Sequence, residues 1–364
     1  MAVIQASAVF KINPAGFNLR RGISLLVVML IPLVVLGALG EEKYFLSTAY
    51  GALYTGLSDP GGKYAYRAPR MAVVGAVGAL LTALGFWLGD QAWGWVALAA
   101  FAVTLLGGLA VKYGAHWSGA ALMLNFWFLI ALPLPALYKA DHVHTSPWPQ
   151  ALAWLIGSAL MIGYVGVLSL ARRRPAQQNP AAAMMPGDTT PVPLTPPVIA
   201  YAVLRAVALG LAVAIPFGLN LPNADWIPIA ALAAMKPSLQ QSELTAVQRL
   251  AGAVIGAVLA VVFLLGADNK IVLGAAVVVL GALAGAIWAW NYTWYCAAVA
   301  GAVLIGEDVS NPTNLSEEAL RVAFTFVGVG IAVVVMLLGN LLAKRSSGKA
   351  RPQPAAPAGG SGRS

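Results

Sequence analysis

The stretch DWIPIAALAAMKP, residues 225–237, decides how this chain is read. It is apolar but short of the roughly 20 residues that a helix needs to cross a bilayer. A second stretch of the same kind, YFLSTAYGALYTGL, occupies 44–57. Around the two lie longer apolar runs, at 22–40, 71–89, 93–111, 117–137 and 148–170 in the first half and at 199–219, 247–266, 271–288, 290–306 and 319–342 in the second. Counting both short runs as passes gives six and six. Leaving one out inverts the orientation of everything that follows it.

Charge decides between the counts. With an internal N-terminus and twelve passes, 18 Lys and Arg fall inside and 4 outside, the outer ones being Lys43, Lys139, Lys270 and Arg321. That asymmetry is the positive-inside pattern, and it is lost if either short run is dropped. The expected location is the cytoplasmic (inner) membrane, with both termini cytoplasmic. Arg20 and Arg21 before the first run, and small residues near Ala38, resemble a secretory signal. The basic pair stands late for one, however, and the chain stays hydrophobic beyond it, so the run is read as a retained span.

Composition excludes other classes. The chain has 364 residues, of which 60% are hydrophobic and 10% charged. A soluble domain carries about 25% charged residues, so most of this apolar surface must face lipid. The net charge of +9 is scattered between apolar runs, with no nucleic-acid motif beside it, and nucleic acid is not an expected partner. Cys296 is the single cysteine and lies in an apolar run, so no disulfide forms within one chain. There is no phosphate-cradling Gly-rich loop with Lys and Ser or Thr, no Cys/His cluster for a metal, and little general-base chemistry in three histidines. The reading is therefore not an enzyme, without cofactor or metal, and any work done must draw on an ion gradient or on the substrate's own.

The expected organisation is a cytoplasmic segment at 1–21, a first membrane repeat at 22–171, a Pro-rich cytoplasmic linker at 172–197, a second repeat at 198–343 and a disordered basic tail at 344–364. Seven of the 26 linker residues are proline, and Arg172, Arg173 and Arg174 open it. The repeat is legible at an offset of about 180 residues. Arg20 answers to Arg205, Phe45 to Trp226, Ser58 to Ser238 and Arg70 to Arg249. Both Arg70 and Arg249 lead into Gly-rich helices, with Gly75 and Gly78 in one and Gly252 and Gly256 in the other. Tyr113, His116 and Trp117 answer to Asn291, Tyr292 and Trp294. Six passes per half make the repeats parallel, so the fold class is an all-α polytopic membrane protein with about 12 transmembrane helices in two six-helix repeats.

In the second half, Asp225-Trp226-Ile227-Pro228, Met235-Lys236-Pro237-Ser238, Gln248-Arg249-Leu250-Ala251-Gly252 with Gly256, and Asn291-Tyr292 resemble the fusaric acid resistance family of membrane transporters. The first half resembles it more loosely, through Leu57-Ser58-Asp59-Pro60 and Arg70. The resemblance implies efflux of aromatic or other organic acids and a distant likeness to plant anion channels. Family members commonly carry a large cytoplasmic domain; a short linker takes its place here.

An organic anion crossing a membrane needs fixed positive charge along its path, because its desolvation costs several kcal/mol or more. Arg70 and Arg249 follow the two short runs, and a guanidinium holds a carboxylate through two parallel hydrogen bonds. Lys236 and Lys63 add point charges at the cytoplasmic mouth, while Trp226, Tyr292 and Asn291 could stack on or bind the substrate. Asp59, Asp225 and Glu243 are the candidates for proton coupling. The bland alternatives stay open at this point. The cations also fit ordinary inside residues at lipid headgroups, the aromatics fit an interfacial belt, His116 beside Lys112 fits an interfacial pair, and the acids fit loops. The glycines Gly252, Gly256, Gly281, Gly285, Gly107 and Gly108 are expected to let helices approach closely. The function expected is a secondary transporter exporting small organic acids. A passive organic-anion channel and a non-transporting membrane scaffold are the alternatives, and a second copy or an export accessory protein are candidate partners beside the lipid bilayer.

Overall fold

A computed structural model describes residues 6–140, 142–171, 191–221, 226–235, 239–266, 270–308 and 315–347. Twelve helices of nine or more residues lie among them, and no strand. In chain order they are α1 (Leu19–Leu39), α2 (Phe45–Leu57), α3 (Tyr64–Leu88), α4 (Trp93–Leu109), α5 (Ala115–Ala131), α6 (Pro147–Ala171), α7 (Pro196–Leu219), α8 (Trp226–Ala234), α9 (Leu239–Gly266), α10 (Lys270–Ile287), α11 (Tyr292–Asp308) and α12 (Leu315–Ser347). The N-terminal segment, the 3-10 turn Ala110–Tyr113 and the short helix Leu134–Ala140 fill in between. Most of the linker and the end of the tail lie outside the described residues.

Among the described residues, six helical stretches are long and apolar enough to cross a bilayer: Leu19–Leu39, Tyr64–Leu88, Trp93–Tyr113, Ala115–Lys139, Pro147–Ala171 and Pro196–Leu219. Shorter apolar stretches occupy Val247–Phe263, Ala275–Ile287 and Ala323–Gly339. Helices α2 and α8, with 13 and 9 residues, span only about 20 and 14 Å at 1.5 Å per residue. They are also among the most enclosed elements. In α2, Ser47, Thr48, Ala49, Gly51, Ala52, Tyr54, Thr55 and Leu57 are buried, and in α8 everything from Ile227 to Ala234 is buried except Ile229. A short helix leaves backbone ends at membrane depth, and that is tolerable only where protein surrounds them.

The outer helices show the opposite pattern. In α1 the buried positions are Gly22, Leu25, Val28 and Pro32, and in α4 they are Val96, Ala100 and Thr104. Each set is one stripe at helical spacing. The remaining faces, with Ile23, Val27, Ile31, Val34, Trp95, Leu98 and Leu106, are exposed apolar surface of the kind lipid covers.

Packing follows a definite scheme. Within the first half, α2 and α3 pack on α6, α3 also on α5, and α5 on α4. Within the second, α8 packs on α12, α9 on α11 and α12, and α10 on α11. Between the halves, α4 lies along α7 and α1 lies along α10. Small residues make these approaches close. A Cβ on Gly157 of α6 would run into the Thr48 carbonyl of α2, and one on Gly328 of α12 into the Ile227 carbonyl of α8. Gly252 and Gly256 seat α9 against Cys296, Ala297 and Ala300 of α11, while Gly108 meets Ala202 and Gly285 meets Leu25. Gly107 is in ordinary contact with Ala121, and Gly281 has nothing within 4 Å, so it is not a packing position. Polar side chains add glue to the α2–α6 seam. Ser47 Oγ donates to Gln150 Oε1 (2.6 Å), and Thr55 Oγ1 donates to Ser158 Oγ (2.9 Å).

The N-terminal segment is strapped onto the second half. Asn291 Nδ2 donates to the Val9 and Lys11 carbonyls, Thr293 Oγ1 and Gln248 Nε2 donate to Val9, and the Asn13 amide donates to the Trp290 carbonyl. Asn18 then caps α1, its Oδ1 accepting from the Arg21 amide at 3.0 Å.

Candidate functional site

The turn after α2 carries the first group of charges. Asp59 accepts from the Gly61 amide (3.0 Å) and from Arg67 Nε (2.7 Å), and Arg67 Nη2 closes the second arm of the fork on Oδ2. Its neighbour Ser58 is fully buried, and its hydroxyl has no partner. One turn along α3 from Arg67, Arg70 lies over the Tyr66 ring at 3.6 Å and donates Nη1 to the Tyr66 carbonyl at 3.0 Å. Its Nε is buried without a partner.

His116 comes from the first turn of α5. It is fully buried, its ring stands edge-on to Trp117 at 5.1 Å, and neither Nδ1 nor Nε2 has a hydrogen-bond partner. Arg70 and Asp59 both act on it electrostatically. Its sequence neighbour Lys112 instead lies over Tyr113 at 5.9 Å.

The second group gathers around α11. Tyr292 and Tyr295 stack at 5.8 Å, and Tyr295 lies 5.8 Å from Trp288. Arg21 of α1 sits over that same Trp288 ring at 4.8 Å. Arg249 of α9 is within electrostatic reach of Tyr292 and Tyr295, and its Nε is buried and unpartnered. Tyr295 also feels Arg21 and, from the other half, Tyr50 of α2. Tyr50 in turn packs on Trp127 (4.9 Å), and Trp127 on Trp154 (4.9 Å). Both indoles are fully buried and donate, to Thr82 Oγ1 (2.7 Å) and the Gly75 carbonyl (3.0 Å) respectively.

The two groups are connected. Asp59 acts on both His116 and Arg21, and Tyr295 acts on both Arg21 and Arg249. Arg70, His116, Asp59, Arg21, Tyr295 and Arg249 thus form a string of pairwise electrostatic influence from the first half to the second. Sequence reasoning nominated the two ends and Asp59, set His116 down as an interfacial pair with Lys112, and passed over Arg21 and Tyr295 as site members. Arg21 was visible only as an inside charge, and Tyr295 sits one helical step beyond the Asn291-Tyr292 pair.

The other nominated residues fall as follows. Trp226 opens α8 and is half-buried. Asn291 is buried, with its amide nitrogen on the N-terminal strap and its Oδ1 accepting from the Trp294 amide at 3.1 Å. Asp225, Lys236 and the Glu243 side chain lie outside the described residues. Among the described residues no three His, Cys, Asp or Glu side chains gather as a metal would need.

A cavity of about 470 Å³ lies elsewhere, lined by Phe86, Trp87, Asp90, Lys139, His142 and His144 among others. It stands where α3 ends, about 25 Å along that helix from Arg70, and touches neither Arg70 nor Arg249.

A family model described as fusaric acid resistance protein-like matches residues 211–335, which include Trp226, Arg249 and Asn291-Tyr292. The resemblance read from the second half is borne out over those residues. No curated protein and no solved structure matches the chain. This match and the long apolar helices together point to a membrane location and a transport-related kind of protein.

Proposed function

We propose that the chain is a secondary transporter that exports small organic anions, aromatic carboxylates among them, across the cytoplasmic membrane. The carrying observation is the string of cationic and phenolic groups that joins Arg70 to Arg249 through Arg21 and Tyr295. Along such a string a carboxylate would meet guanidinium groups through charge-assisted bonds, and near Arg21 and Arg249 its ring would meet the Trp288, Tyr292 and Tyr295 rings through stacking. Headgroup contact alone gives no reason for Arg249 to stand within electrostatic reach of two stacked tyrosines.

The reading includes twelve passes in two parallel repeats with both termini cytoplasmic. In its support, α1 of the first half lies along α10, and the corresponding α7 of the second lies along α4, as a twofold exchange requires. The enclosed α2 and α8 also occupy matching places in the order of helices. Trp226 and Tyr292 border the path, and Asn291 acts as a strut that holds the N-terminal strap. The match to fusaric acid resistance-like proteins agrees with efflux of an acid.

The test is export of benzoate from vesicles holding Arg70→Ala/Arg249→Ala protein at native abundance. Loss of export is expected, by about a hundredfold if each arginine contributes some 1.5 kcal/mol. Undiminished export by the well-folded double variant refutes the site. Benzoate conductance that no ion gradient can drive uphill would make the protein a passive channel instead.

A further inference from the structure

Three groups at the end of the first half that carries the α2–α3 turn and the start of α5 are buried with nothing to bond: Ser58 Oγ, Arg70 Nε and the imidazole of His116. Ser58 and His116 are fully buried. A buried polar atom left unpaired costs about 1–3 kcal/mol, so these three groups are placed to take a polar partner. The adjacent acid is not that partner, because Asp59 is already engaged by the Arg67 fork and the Gly61 amide.

We infer that Ser58, Arg70 and His116 form a subsite for a small carboxylate, and that His116 holds a proton while the anion is bound. The inference rests on the transport reading above and adds to it the place and the protonation state of one bound form.

The chemistry follows from the groups. Arg70 Nε supplies one donor. Neutral imidazole has one N–H and one acceptor nitrogen, and the acceptor would face a carboxylate oxygen unfavourably. Taking up a proton turns it into a second donor and cancels the incoming charge, so anion and proton bind together. His116 also stands at the N-terminal end of α5, where the helix dipole favours an anion. Arg70 is only partly covered, so this corner is reachable from one edge.

The groups around His116 are few. Arg70 and Asp59 act on it directly. Arg67 is tied to Asp59, and Lys112 stands over Tyr113. Helix α2 brings Tyr50 and Tyr54, α3 adds Tyr64 and Tyr66, and α4 and α8 bring no titratable side chain among the described residues.

The test uses the full-length protein in lipid nanodiscs, with benzoate and acetate as probes, titrated calorimetrically in buffers of different ionisation enthalpy. The range is about pH 5.5 to 8, across the usual histidine range. Uptake of about one proton per anion is expected, with affinity falling up to tenfold per pH unit towards the alkaline end. His116→Gln, which keeps a neutral donor and acceptor, should bind with no proton uptake and a flat pH profile. Ser58→Ala should weaken binding and leave proton uptake intact. Binding by the native protein without proton uptake overturns the inference and leaves the transport reading standing. Proton uptake unchanged in His116→Gln also overturns it. Absence of binding by either probe overturns both.

Discussion

Gly78 and Trp154 offer a test of the packing that holds the site, because the expected effect changes sign. A methyl group added at Gly78 of α3 would strike the Trp154 indole of α6 at Cε2, Cζ2 and Nε1. That indole has no room to retreat, being fully buried, bonded to the Gly75 carbonyl and packed on Trp127. Overpacking of this kind costs about 1–3 kcal/mol. Replacing glycine by alanine inside a helix returns about 1 kcal/mol. Gly78→Ala should therefore destabilise the protein by about 0–2 kcal/mol. In the Trp154→Leu background the colliding atoms are gone, and the same substitution should stabilise by up to about 1 kcal/mol. Trp154→Leu alone should cost about 2–4 kcal/mol, from lost packing and a stranded carbonyl. The assay is reversible unfolding of all four proteins in mixed micelles, compared as a double-mutant cycle. Equal effects of Gly78→Ala in both backgrounds would mean that the two residues do not touch.

Other outcomes follow from the same contacts. Gly157→Val should reduce folded protein in the membrane severely, since its Cβ would lie 2.7 Å from the Thr48 carbonyl carbon and 2.9 Å from the Ala52 nitrogen, whereas Gly281→Ala, with open space around it, should be neutral or slightly stabilising by thermal melting. Asp59→Asn should lower stability by about 3 kcal/mol by stranding Arg67, and Asp59→Asn/Arg67→Gln should recover part of that, as read from detergent melting curves. Asn291→Ala releases the Val9 and Lys11 carbonyls, so amides near residues 9–18 should exchange with deuterium about tenfold faster, for a loss of about 1.4 kcal/mol, with little change in the rest of α11.

Much of the architecture could be read in the chain because hydropathy and loop charge are local properties. The short apolar runs at 44–57 and 225–237 emerge as α2 and α8, and their burial agrees with the requirement that broken helices be surrounded by protein. Glycines four apart, such as Gly252 and Gly256, announced a close helix contact, but spacing could not say which helix would receive it. The site was legible at its two ends and at Asp59. Arg70 and Arg249 stood out because the same residue recurs after each short run. Arg21, His116 and Tyr295 carry no such mark, and they meet the others only through tertiary folding. The strap from Val9 to Asn291 joins residues 282 apart in the chain, a distance over which no periodicity or motif speaks. The cavity at Asp90 and His142 was likewise invisible, since it forms between one helix end and a loop fifty residues later.

The partnership of α1 with α10 has a consequence for how the protein is made. The ribosome completes Leu39 some 230 residues before it reaches Lys270, a delay of roughly 10–50 s at about 5–20 residues per second. During that interval the newborn first helix lies in the bilayer with its glycine-bearing stripe against lipid or a chaperone. A gene cut between the two halves would remove this waiting period, and the separate products should find each other in the membrane by the same exchange of helices.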